Sequence, residues 1–150
     1  MSTSLDGKTR VLDRDEILFR EGAPADRFFL VASGSVRCLK GDGDRIRQVF
    51  LAGPKDVIGE EALFARTPHA YAAVAAEVCA VVEVPLELLD EVMGKAPKWL
   101  GELLATLGQR FNATADVVAN HLSVPEDLPE AEQVRLKKLL ASKIAPGAGD

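Results

Sequence analysis

The stretch VIGEEALFARTPHAYAAV, residues 57–74, sets a glycine, two adjacent carboxylates, a Thr-Pro turn and a histidine between apolar residues. Gly59 ends a strand, at a point where the lack of a side chain lets another group approach the backbone closely. Glu60 to Ala65 can form one helical turn, whose first N–H groups have no partner inside the helix and therefore attract an anion. In that geometry Glu60 offers a carboxylate to a sugar hydroxyl, and His69, brought back by Thr67-Pro68, faces the same space. A plain corner fits the same letters, with Gly59 as a turn, Glu60 and Glu61 solvated and His69 in a loop. Spacing alone leaves both readings open, so the flanking chain decides.

On the N-terminal side, residues 10 to 85 read as short strands separated by glycine and proline, with β-branched and aromatic residues between the breaks. RFFLVASGSVRCLK, residues 27–40, has the outline of a hairpin turning around Ser33-Gly34, with Val36 and Cys38 on one face and Arg37 on the other. KGDGDRIRQVFLAG, residues 40–53, repeats the outline with Gly41 to Asp44 as the turn, and Ile46, Gln48 and Phe50 alternate with Arg47, Val49 and Leu51. Evenly spaced strands of this kind build a sandwich or a small barrel.

After Pro85 the apolar period lengthens from two to nearly four. LELLDEVMGKA predicts a short helix with Leu88, Leu89, Val92 and Met93 as its stripe, and Pro97 opens a longer one. Along that second helix Leu100, Leu103, Leu104, Leu107, Phe111, Ala115, Val118 and Leu122 make one apolar seam. The seam suits either packing on the strands or pairing with a second copy as a short coiled coil. A last helix follows Pro129, with Glu130 and Glu132 early and Lys137, Lys138 and Lys143 late, as the helix dipole favours. The cluster Arg135, Lys137, Lys138 reads as its solvated face.

Composition narrows the function. Eighteen basic against 23 acidic residues give a net charge of −5, and no basic stripe emerges that could neutralise a row of phosphates. DNA and membrane are therefore not expected partners, and the N-terminus lacks the apolar core of a secretion signal, so a cytoplasmic protein is expected. Cys38 and Cys79, in separate strands and without a CxxC, read as buried free thiols. No nucleophile elbow, Walker loop, dinucleotide glycine fingerprint or HExxH occurs, and His69 and His121 stand far apart; neither an enzyme nor a metal site is expected.

Taken in order, three segments resemble the cyclic nucleotide-binding domain family of catabolite activator proteins, protein kinase regulatory subunits and cyclic nucleotide-gated channels. ILFREGAPADRFFLVASGSVRC is similar to the family's first strands, with turns at Gly22 and Gly34; DVIGEEALFARTPHAYAAV to its phosphate-binding cassette; and AEVCAVVEVPLELLDEVM to the strand and helix that follow. The resemblance implies a mainly β fold with C-terminal α, a β-roll of the double-stranded jelly-roll type followed by helices. It assigns residues 1–122 to this domain with its long helix and 123–150 to an extra helix and flexible tail. It makes Gly59 the cassette glycine and Glu60 the residue that holds the ribose 2′-hydroxyl, with backbone N–H groups near Ala62 and Ala70 facing the cyclic phosphate, and Glu61 and Tyr71 completing the binding set. The family's phosphate-pairing arginine falls on His69. Losing a charge-assisted hydrogen bond of about 1.5–3 kcal/mol weakens binding about ten- to a hundredfold. Ala70 stands where members preferring cyclic GMP often carry threonine, so the implied ligand is cyclic AMP.

The function implied is a stand-alone cyclic nucleotide-binding regulatory module without a resident cofactor. It would signal through a protein partner, because the 28 residues after Leu122 are too few for a winged helix-turn-helix. The alternative is a degenerate fold that binds no nucleotide and serves as a protein-interaction scaffold or a homodimer through the long helix.

Overall fold

Among the described residues, the period-two stretches become eight strands in two four-stranded antiparallel sheets. The computed structural model describes residues 7–42, 45–121 and 128–141. One sheet runs β1 (Lys8–Leu12), β8 (Cys79–Pro85), β3 (Arg27–Ser33), β6 (Val57–Ile58); the other runs β2 (Ile17–Phe19), β7 (Ala72–Ala75), β4 (Val36–Asp42), β5 (Arg45–Ala52). Their facing sides share one core, in which Leu12, Phe29, Val31 and Val81 of the first sheet join Phe19, Val36, Cys38 and Ala73 of the second. The expected β-roll followed by helices is the observed architecture, and Cys38 and Cys79 are both free and buried in it.

The hairpin expected around Ser33-Gly34 does not form, because β3 pairs with β6 and β8 while β4 pairs with β5 and β7. Gly34 instead carries the chain from one sheet to the other. It sits at φ +76°, and a Cβ there would lie 2.5 Å from both the Val78 carbonyl oxygen and Cys79 Cβ, so the crossing needs a glycine. The β4–β5 hairpin does form, from Val36↔Ala52 to Asp42↔Arg45, while Gly43 and Asp44 of its turn lie outside the described residues. Its register shifts between Cys38↔Phe50 and Leu39↔Gln48, which makes Val49 the extra residue of a β-bulge. The bulge breaks the expected alternation: Phe50 packs on the core between the sheets, whereas Ile46 joins a second apolar cluster.

That second cluster lies where the helix α4 (Glu130–Ala141) meets Ile17, Leu39, Ile46 and Val74, and Leu128 and Leu136 complete it. All four residues of β7 are buried; Ala73 and Ala75 belong to the first cluster and Val74 to the second. Cover on both faces explains a short run of small apolar residues without polar alternation. Gln133 joins helix to strand: Ile46 N–H donates to its Oε1 at 2.7 Å, and its Nε2 donates to the Ile46 carbonyl at 2.5 Å. These groups belong to β5, the edge strand of its sheet, and a paired edge is closed to further strands. Arg135 is not simply solvated, since it pairs with Asp15 at 2.5 Å and Glu132 at 2.8 Å; Lys137 and Lys138 are exposed as expected.

The remaining helices are α1 (Glu60–Ala65), α2 (Leu86–Gly94) and α3 (Lys98–His121). In α2, Val92 is exposed, so the buried stripe is narrower than expected and consists of half-buried Leu88, Leu89 and Met93. The seam of α3 divides between two faces. Leu104, Gly108 and Phe111 turn inward, while Leu103 and Leu107 stand exposed with Trp99. The side chains of Ala115, Val118 and Leu122 lie outside the described residues.

Candidate functional site

Gly59 holds the corner between β6 and α1 at φ +83°, the left-handed region, and serves as the N-cap of α1. A Cβ there would come within 3.4 Å of His69 Cε1 and 3.5 Å of Phe19 Cε2. The helix ends in a second left-handed residue, Arg66, and the backbone N–H groups of Arg66 and Thr67 both donate to the Ala62 carbonyl. The one-turn helix predicted for EEALFA is therefore present and closed at its C-terminal end, while its N-terminus has no side-chain cap. Arg66 itself is 72% exposed and pairs with Asp90 at 3.8 Å, on the surface.

The cassette return is tied down by its backbone. His69 N–H donates to the Ala23 carbonyl at 3.0 Å, and the His69 carbonyl accepts from Gly22 N–H at 2.8 Å. Its ring is 4% exposed and stacks on Phe19, with ring centres 3.7 Å apart and planes 14° from parallel. Burial lowers its pKa to about 4, so near pH 7 the imidazole is neutral, and its Nδ1 is buried without a hydrogen-bond partner. Behind Ala70, Lys40 Nζ donates to the Ala70 carbonyl at 2.8 Å and to Glu21 Oε2 at 3.0 Å.

Tyr71 is wholly buried. Its Oη accepts the Gly59 N–H at 2.9 Å, and its ring meets Phe19, Phe50 and Phe111 at centre distances of 5.5, 5.2 and 5.9 Å. Burial, first of all, pushes its phenol pKa upward, with Cys38 and Glu61 adding to the rise. Glu60 and Glu61 stand side by side with Glu61 buried, and one oxygen of each, Glu60 Oε2 and Glu61 Oε1, lacks a partner. Burial and then the neighbouring Glu61 raise the Glu60 pKa from 4.5 to about 8, so at pH 7 its carboxyl is largely protonated. Above them α3 crosses α1 so closely that a Cβ on Gly108 would lie 2.7 Å from the Glu61 carbonyl oxygen.

The seven residues expected to form the binding set lie around one corner. Chemically the corner is an aromatic plug beside two carboxyl groups, with a neutral imidazole at the arginine position. Lys40, Phe19, Phe50, Gly108 and Phe111 shape it and were not singled out as site residues from sequence. Lys40 carries a readable signal, since it stands two residues beyond inward-facing Cys38 on β4; Gly108 carries none, because its role depends on how two helices cross.

Residues 9–96 match the family model described as Cyclic nucleotide-binding domain. The chain is 26% identical over 115 residues to Electron transport regulator A of Shewanella oneidensis, covering 74% of this chain and 44% of that protein. It is 27% identical over 108 residues to the CRP-like cAMP-activated global transcriptional regulator of Mycobacterium tuberculosis, covering 71% and 48%. This chain therefore spans under half the length of these curated relatives. Among solved structures, the Thermus thermophilus catabolite activator protein superposes with a TM-score of 0.62 at 27% identity, covering 76% of this chain and 54% of that one. The cAMP-bound EAL enzyme Bd1971 superposes with a TM-score of 0.68 at 19% identity, covering 87% of this chain and 32% of that one.

Proposed function

This chain belongs to the cyclic nucleotide-binding domain family, and on that premise we propose that it is a regulatory, non-catalytic module whose cassette is filled by its own side chains. One observation carries the reading: the Gly59 N–H is taken by Tyr71 Oη, and the Tyr71 ring is packed among Phe19, Phe50 and Phe111. A nucleotide entering this corner would have to displace a wholly buried ring and then meet no guanidinium at position 69. In this reading the output is contact with a protein, through the exposed stripe Trp99, Leu103 and Leu107 of α3. A second copy of the chain is one such partner, and the net charge of −5 disfavours DNA. Two buried free thiols support a cytoplasmic setting.

Calorimetry with cyclic AMP and cyclic GMP tests the cassette. The expected result is no heat at millimolar nucleotide for the natural chain, and binding by a His69→Arg, Tyr71→Ala double variant. Micromolar binding by the natural chain would overturn it. Sedimentation at several concentrations, with Leu103→Glu as comparison, tests the stripe: association that the substitution leaves unchanged would remove α3 from the interface.

A second reading keeps nucleotide binding, with cyclic AMP favoured over cyclic GMP because Ala70 offers no hydroxyl. Left-handed Gly59 and the half-buried Glu60 carboxyl beside it favour this reading, as does the cAMP named for the Mycobacterium tuberculosis relative. The same titration separates the two.

A further inference from the structure

The segment from Arg20 to Ala23 touches both the last helix and the cassette return. It forms a β-turn, closed by the Ala23 N–H donating to the Arg20 carbonyl at 3.1 Å, with Gly22 at φ +83° in the third position. Every residue of the turn holds something outside it. Arg20 Nη1 donates to the Leu140 carbonyl in the last turn of α4. Glu21 Oε2 accepts from Lys40 Nζ at 3.0 Å, and its Oε1 accepts from the Gly41 N–H at 2.9 Å. Gly22 N–H donates to the His69 carbonyl at 2.8 Å, and the Ala23 carbonyl accepts from His69 N–H at 3.0 Å. Lys40 is buried and adds a further tie, because its Nζ also donates to the Ala70 carbonyl at 2.8 Å.

We propose that Arg20 is a positioning residue of the cassette, coupling the docking of α4 to the place of the return at His69 and Ala70. Coupling is carried by contiguous hydrogen bonds and packed groups, and here the chain of contacts is unbroken from Leu140 to Ala70. Two backbone bonds keep the turn and His69 from sliding past each other. The Lys40 ammonium cannot leave Glu21 or the Ala70 carbonyl without stranding buried polar groups. A shift of Arg20 therefore carries His69 and Ala70 with it, and next to them Tyr71, whose Oη holds the Gly59 N–H. The coupling runs both ways: a displaced His69 backbone also changes the hold on Leu140. Helix α4 lies outside residues 9–96, which match the family domain, so this control reaches the cassette from beyond that domain. The proposal goes beyond the cassette reading and stands whether or not a cyclic nucleotide binds.

Native-state amide hydrogen exchange, read by NMR on the full chain, tests the coupling. Gln133→Ala weakens the hold of α4 at Ile46, about two helical turns before Leu140, and touches neither the turn nor the cassette. It is expected to speed exchange at the Gly22 and His69 amides about tenfold and to move the His69 imidazole signals, while Val36 of the same sheet and Val81 of the other change less than about twofold. Arg20→Met is expected to give the same rise, and the double variant no more than either, because both substitutions cut one route. Unchanged His69 exchange in Gln133→Ala, a rise shared equally by Val36, or rises that add in the double variant would each overturn the proposal. Should Arg20→Met fail to fold, the comparison of His69 with Val36 in Gln133→Ala decides the matter alone.

Discussion

An imidazole stacked on a phenyl ring and closed off from water gives up its proton readily, and His69 does so down to about pH 4. Glu60 goes the other way, keeping its proton up to about pH 8 against an ordinary 4.5. The two shifts predict a pH profile of stability. Between pH 6.5 and about 7.5 the unfolded chain still loses the rest of its His69 proton, which offsets part of the Glu60 effect, and above about pH 7.5 His69 is neutral in both folded and unfolded chains and contributes no slope. Between 6.5 and 8 the folded chain still holds the Glu60 proton that the unfolded chain has lost, so stability falls as pH rises. Denaturant melts at pH 6.5, 7.25 and 8 should show that fall, and Glu60→Gln should remove most of it; an unchanged slope would mean that other groups produce it. Tyr71→Phe should cost about 1–3 kcal/mol, because it leaves the Gly59 N–H buried without an acceptor. Which residues form the corner was legible in the sequence, as order and spacing carry that information. What they do there was not. The depth of His69 depends on Phe19, fifty residues earlier, and the acceptor for Gly59 on a phenol twelve residues later.

Helices α1 and α3 meet where both backbones come unusually close, and Gly108 permits the approach. Gly108→Ala places a methyl 2.7 Å from the Glu61 carbonyl oxygen, so α3 must lift away at a cost of about 1–3 kcal/mol. Gly101→Ala, in the same helix, meets nothing nearer than Met93 Cε at 3.5 Å and should gain up to about 1 kcal/mol from helix propensity. Chemical denaturation of the two variants should give opposite signs; a shared sign would mean that the crossing is looser than described. Element types and order were readable because the change of period after Pro85 is sharp. Pairing was less so: a turn glycine serves a hairpin and a crossover equally well, and the Val49 bulge leaves no local mark. The seam of α3 was visible as one stripe, yet its division into inner and outer faces depends on which side α1 occupies.

Across the whole molecule, α4 closes the outer face of the second sheet and ties residues 128–141 to strands far back in the chain. Leu136→Ala, at a fully buried position against Ile46 and Val74, should cost about 2–5 kcal/mol in a urea melt, and a loss under 1 kcal/mol would mean that α4 is only loosely held. A terminal helix was legible from its charge pattern, but its berth was not, since residues of β2, β4, β5 and β7 assemble it. Gln133 adds a matter of register. It reads both backbone groups of Ile46, 87 residues away, and those groups face it only when the Val49 bulge has set the hairpin register. A hairpin slipped by one residue turns Ile46 to the other side and leaves the glutamine nothing to grip. The last described helix therefore fits the hairpin in this register and has no grip on one slipped by a residue. Hydrogen exchange at the Ile46 amide reports whether that grip is in place.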